Sequence, residues 1–185
     1  MSIVLVGSTS GSVTLQEPAV AGTSVLSLPA LTGTVLTTAS TFGGTGPAFS
    51  AYASTGQSIP ANGTLTKVLL QTEEFDTNSN FASSTFTPTV AGYYQINGCV
   101  TLLNGTSTRN FGVVLYKNGS AFKQGTTNAI FVSDYSGVSV STLVYFNGST
   151  DNVELYCFNN STGAISTVVS GATFCYLNGA MVRAA

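Results

Sequence analysis

The feature that most constrains this chain is the period of its apolar residues. Nowhere in the 185 residues does a helical spacing persist for three turns. Short runs instead alternate apolar with polar side chains and stop at Gly, Asn or Pro. In "GYYQINGCVTL", Tyr94, Ile96, Val100 and Leu102 share one face, and Tyr93, Gln95, Asn97, Cys99 and Thr101 share the other. "GVSVSTLVYF" alternates Val138, Val140, Val144 and Phe146 with small or hydroxyl residues, broken only by Leu143 and Tyr145. "FGVVLYKNGSAFKQG" predicts two strands about Asn118-Gly119, a pair suited to the positive φ angles of a type I′ turn. Strands are also expected over Lys67–Phe75, Asp151–Phe158 and Thr173–Val182. Strands this frequent, with turn signals between them, predict an all-β antiparallel sandwich or jelly roll.

Composition agrees and narrows the function. About a third of the residues are Ser, Thr or Asn, which favours turns and hydroxylated strands over helices. Charged residues make up 6% and the net charge is −2, against about 25% charged in an average soluble domain. Few charges guard the strand edges and little repulsion keeps copies apart, so the expectation is a subunit that covers its surface with partners. Lys67, Arg109, Lys117, Lys123 and Arg183 are scattered singly, so there is no basic stripe for nucleic acid. The apolar run Ile3 to Val6 is far shorter than the roughly 20 residues of a membrane span. "MSIVLVGSTS" also lacks the basic and apolar regions of a secretory signal peptide, so neither membrane nor secretion is expected.

Residues able to carry catalysis are few. Without histidine there is no histidine-based triad. Only Glu73, Glu74 and Asp76 bring carboxylates together, and on a strand Glu73 and Glu74 would point to opposite faces. "DTNSN" begins like a Ca²⁺ loop, but Phe81 stands where glycine is needed and Thr87 where glutamate is needed, so it reads as an Asx-rich turn. The Asn-x-Ser/Thr triplets at Asn62, Asn104, Asn118, Asn147 and Asn160 read as turns. Cys99, Cys157 and Cys175 have no metal-ligand spacing. Three buried free thiols are expected, the alternative being one disulfide and one thiol. No enzyme activity, cofactor or metal is predicted.

"TFGGTGPAF", Thr41 to Phe49, marks a joint. Residues 1–40 hold three β-like pieces, Val13–Leu15, Ser24–Leu28 and Thr34–Thr38, too little to close a core alone. The expected organisation is an extended arm over 1–40, a Gly/Pro joint over 41–47 and a knob over 48–185.

From Pro47 onward the order of motifs resembles the C1q/tumour-necrosis-factor-like jelly roll. "AFSAY" places Phe49 and Ala51 in the family's Phe-x-Ala, and "FDTNSNFASSTFTPTVAGYY" places Phe75, Asp76, Phe81, Phe86, Gly92 and Tyr94. "LYKNG" supplies Leu115, "GSTDNVELY" leads to Leu155, and "LNGAMV" supplies Leu177, Gly179 and Met181. The resemblance implies a trimer, with Phe49, Phe75, Phe81, Phe86, Tyr94, Ile96, Leu115, Leu155, Leu177 and Met181 as core or trimer-packing residues. Gly92 is expected to permit a tight turn into the strand that follows it.

The arm is similar to a segment of bacteriophage tail fibres and other virion proteins, in its Gly-x-Val-Thr-Leu, Pro-Ala-Val-Ala-Gly and Leu-Pro-Ala-x-x-Gly-Thr-Val pieces. That likeness implies a homotrimeric virion structural protein, with the knob facing outward on the particle. A chain that begins at Met1 without a long shaft is expected to be a capsid decoration or cement protein. Its arm would bind the major capsid protein or other virion subunits through Val13, Leu15, Val25, Leu26, Leu28, Val35 and Leu36. The alternatives are a tail-fibre or spike tip that recognises a host surface glycan, and a soluble C1q-like recognition module.

Overall fold

A computed structural model describes residues 3–6, 12–15, 46–103, 110–129 and 135–185. The chain divides into two compact units, Met1–Ser40 and Thr41–Ala185. In the first, β1 (Ile3–Val6) and β2 (Ser12–Leu15) form an antiparallel pair in which Ile3 lies opposite Leu15 and Leu5 opposite Val13. Val25, Leu26, Leu28, Val35 and Leu36 lie outside the described residues.

The second unit is a two-layer antiparallel sandwich. In chain order it is built from β3 (Ala48–Tyr52), β4 (Ser58–Ile59), β5 (Thr66–Lys67), β6 (Thr72–Asp76), β7 (Phe81–Ala82), β8 (Thr85–Phe86), β9 (Ala91–Leu103), β10 (Asn110–Lys117), β11 (Ser120–Ala129), β12 (Tyr135–Asn147), β13 (Val153–Asn159), β14 (Ile165–Ser166) and β15 (Tyr176–Ala184). One layer is a five-stranded sheet in the order β12-β9-β15-β3-β6. The other runs β11-β10-β13-β8-β7, with β5 also paired to β13, and β14 with β4 forms a small separate pair. Successive strands cross repeatedly between the layers, the winding of a jelly roll.

Alternation explains which side chains fill the space between the layers. Tyr94, Ile96, Val100 and Leu102 of β9 are all buried, as are Val138, Val140, Val144 and Phe146 of β12. Phe111, Val113 and Leu115 of β10 and Val153, Leu155 and Cys157 of β13 meet them from the opposite sheet. At one end the aromatic rings interlock. Phe86 stacks on Phe49 at 4.1 Å between centroids, Phe49 on Phe81 at 5.2 Å, and Tyr94 meets Phe146 edge-on at 5.3 Å. Such pairs contribute about 0.5–1.5 kcal/mol each beyond their burial. The Tyr94 hydroxyl donates to the Val90 carbonyl at 2.7 Å, which satisfies the one polar atom of that ring. Burial pushes its pKa up to about 12.

The hairpin about Asn118-Gly119 forms as its sequence predicts, with φ of 53° and 75° at the two turn residues. Three local expectations need correction. Lys67–Phe75, expected as one strand, is two strands in different sheets. Val68 and Leu70 are buried between them, with Val68 N–H on the Leu155 carbonyl and Leu70 N–H on the Ser84 hydroxyl. Gly92 lies inside β9 rather than at a turn. A Cβ there would stand 2.5 Å from the Arg183 carbonyl oxygen, so its role is close approach of neighbouring backbone. Thr173–Cys175 precede β15, which starts at Tyr176.

Candidate interaction surfaces

With the inward faces sealed, the outward face of the five-stranded sheet is the next level of organisation. Its residues are those that alternation leaves outside. Across the middle runs a seam of amides and a hydroxyl. Asn97 donates to Asn178 Oδ1 at 3.1 Å, Gln95 to Ser141 Oγ at 2.9 Å and to Asn97 Oδ1 at 3.2 Å, and Ser141 Oγ to Asn97 Oδ1 at 2.8 Å. These bonds leave the seam's polar groups largely satisfied by one another, so covering it carries a small desolvation cost.

Apolar side chains flank the seam. Tyr93, Leu143, Tyr145 and Val182, the last being the extra residue of a bulge in β15, line a shallow concavity of about 530 Å³ together with Arg183. Tyr93 and Tyr145 are cross-strand partners with ring centroids 5.4 Å apart. Phe75 forms one wall of a second hollow of about 280 Å³, beside Ser50, Gln95, Asn97 and Asn178. Phe75, Leu143 and Val182 are each more than half exposed, while Tyr93 and Tyr145 are at 45% and 44%. Five large apolar or aromatic side chains on one sheet face, with Arg183 the one charged side chain among the described residues lining either hollow, form the candidate association surface.

Four charged side chains elsewhere form two ion pairs. Lys67 Nζ meets Glu154 Oε1 at 2.6 Å, and Thr85 Oγ1 donates to the same oxygen at 2.9 Å. Lys117 Nζ meets Asp151 Oδ2 at 3.0 Å, while Asn118 donates to Asp151 Oδ1 at 2.8 Å. The hydrogen bond from Asn118, then that from Lys117, holds the Asp151 carboxyl below its ordinary pKa. Asp76 Oδ2 accepts Phe81 N–H at 2.6 Å, so the "DTNSN" stretch spends its carboxylate on its own main chain. Glu74 accepts the Ser50 hydroxyl at 2.6 Å. Among the described residues no three His, Cys, Asp or Glu gather as metal ligands. All three cysteines are free thiols, and burial pushes Cys157 up to about 12 and Cys175 to about 11.

The residues singled out from the sequence divide between these environments. Phe49, Phe81, Phe86, Tyr94, Ile96, Leu115, Leu155 and Leu177 sit in the core, and Met181 packs against its margin. Phe75 alone of the ten faces outward. Val13 and Leu15 lie in β2. Tyr93, Leu143, Tyr145 and Val182 were not singled out for association. The legible signal for two of them was the break in alternation at Leu143 and Tyr145.

No protein-family model matches this sequence, and no curated protein matches it. Solved structures do. The globular domain of zebrafish complement 1qA protein superposes with a TM-score of 0.54 at 16% identity, covering 75% of this chain and 99% of that one. Murine APRIL at pH 5.0 superposes with a TM-score of 0.57 at 11% identity, covering 74% and 98%. The fold is a C1q/TNF-like jelly roll. The PRD1 vertex protein P5 also matches, at 22% identity over 76% of this chain and 99% of that one. Its TM-score of 0.47 is too low to carry an argument. In this jelly roll the five-stranded sheet holds the apolar outward face, and the six-stranded sheet holds both ion pairs or their partners.

Proposed function

We propose that the chain is a trimeric bacteriophage virion structural protein, a capsid decoration or cement subunit. Its jelly roll is the outward-facing knob, and residues 1–40 anchor it to the shell. The observation that carries the reading is the outward face of the five-stranded sheet. Exposed Phe75, Tyr93, Leu143, Tyr145 and Val182 surround a self-satisfied polar seam. Three such faces turned toward a common axis would bury aromatic and aliphatic surface without stranding the polar atoms of the seam.

The virion location is supported by the arm's resemblance to segments of phage tail fibres and other virion proteins. The arm would add strands to neighbouring subunits, gaining main-chain hydrogen bonds and apolar burial. Three arms per trimer would add avidity by raising the effective concentration of each arm at the shell.

A chain lacking residues 1–40, mixed with purified undecorated shells and sedimented, tests this. The expected result is a folded trimer that stays in the supernatant while the full chain pellets with the shells. Equal pelleting of both would overturn the anchoring role.

A further inference from the structure

The outward face of the other sheet carries a different kind of surface. Outward positions of β10 and β13 place Gly112 opposite Phe158 and Val114 opposite Tyr156. A Cβ on Gly112 would stand 2.7 Å from the Phe158 ring, so that ring sits over the sheet where only glycine leaves room. Beside it, Phe122 on the edge strand β11 and Leu65 on the preceding loop are each 40% exposed. Together with Gln124, Lys123 and Asn160 they line a groove of about 360 Å³.

The polar groups in this groove contrast with those of the seam and of several turns. On the five-stranded sheet Gln95, Asn97 and Asn178 bond one another, and in the turns Asn80, Asn118 and Asn147 hold main-chain or carboxylate partners. Among the described residues, the side-chain amides of Gln124 and Asn160 and the Lys123 ammonium have no hydrogen-bond or ion-pair partner. Lys123 Nζ instead hovers 5.5 Å from the centre of the Phe122 ring. An aromatic floor and wall, two unspent amides and one lysine therefore line one hollow, and among the described residues no carboxylate does.

We propose that this groove binds a pyranose unit of a surface polysaccharide, with preference for an acidic sugar. A pyranose offers what the groove lacks. Its C–H face packs on Phe122 and Phe158, and its hydroxyls both donate to and accept from the Gln124 and Asn160 amides. A carboxylate on the sugar pairs with Lys123. The volume falls at the lower end of the roughly 300–1,000 Å³ typical of small-molecule sites, which suits one or two sugar rings. The inference is independent of the trimer and the arm, since it concerns the opposite sheet, so either can fail without the other.

Saturation-transfer NMR on the full chain tests it, with methyl glycosides of glucose, galactose, mannose, N-acetylglucosamine, rhamnose and glucuronic acid as probes. Transfer to ring C–H protons is expected, with the glucuronide bound most tightly and weakened by added salt. Phe122→Ala should weaken every bound sugar by about tenfold or more, and Gln124→Ala should weaken them to a lesser degree. Lys123→Gln should abolish the preference for glucuronide while leaving the neutral sugars bound. All three positions are exposed, so circular dichroism should match the parent. Absence of transfer to all six probes, or binding unchanged by Phe122→Ala, overturns the proposal.

Discussion

Replacing Tyr145 with serine tests the association face directly. In the protomer the residue is 44% exposed. A buried aromatic side chain removes about 150–250 Å² from water, so covering the exposed fraction would remove roughly 65–110 Å². At about 25 cal/mol per Å² that is about 2 kcal/mol per subunit, or about 6 kcal/mol for three equivalent copies. Each 1.4 kcal/mol is about a factor of ten, so the trimer dissociation constant should rise by about four orders of magnitude. That constant scales with the square of concentration, so the concentration of half-dissociation should rise about a hundredfold. The protomer itself should lose only the cross-strand pair with Tyr93, about 0.2–1 kcal/mol. Its fold should therefore survive, because the bond from Lys117 to this residue is accepted by the main-chain carbonyl. Sedimentation velocity across a dilution series reads the outcome, with circular dichroism as the control for folding. A variant that dissociates at the parent's concentration would show that this face is not the interface. A parent that sediments as a monomer throughout would remove the trimer altogether.

Three further outcomes follow from the interior and from the Lys67–Glu154 pair. Phe86→Ala should cost about 3–5 kcal/mol in urea unfolding, since the ring is fully buried and stacked on Phe49; a loss under about 1 kcal/mol would mean the aromatic cluster is not formed. Burial works to raise the Glu154 carboxyl, yet bonds from Lys67 and Thr85 and the Lys67 charge leave its pKa lowered. A lowered folded pKa means stability that is present above the ordinary glutamate value of about 4.3 and is lost as pH falls through the folded one. Glu154→Gln should accordingly flatten the decline of unfolding free energy between about pH 5 and pH 3, and an unchanged slope would refute the pairing. Cys157 and Cys175 should resist a thiol reagent at pH 8 until urea unfolds the chain, because burial raises both and excludes the reagent; rapid labelling of either would contradict that burial.

Much of the fold was legible because a strand with one buried face writes a period of two into the sequence. β9 and β12 announced themselves this way, and Asn118-Gly119 announced the hairpin, since only a few residue types accept its dihedral angles. Lys67–Phe75 misled for a related reason. Val68 and Leu70 look like one face of a continuing strand, but they are buried in the crossing between two sheets. The conformation of Gly92 was equally hidden. Its need for no side chain comes from the Arg183 carbonyl, 91 positions away in sequence.

The association face was only half legible. Leu143 and Tyr145 broke the alternation and Tyr93 fell on the outer face, but nothing local says that these three meet Val182. Register decides that: β12 lies beside β9, β9 beside β15, and a bulge in β15 puts Val182 beside them.

By itself, then, the sequence determined that the chain is all-β, that a hairpin turn falls at Asn118-Gly119 where positive φ is allowed, and which face of β9 and of β12 is buried. These are local properties, set by sterics within a few residues and by the alternation of a pleated strand. Tertiary structure alone decided which strands are neighbours. It therefore decided that Gln95, Asn97, Asn178 and Ser141 satisfy one another in a seam while Gln124 and Asn160 remain unspent in a groove. The physical reason is that hydrogen bonds and apolar contacts across a sandwich join residues far apart in sequence, so no local pattern encodes them.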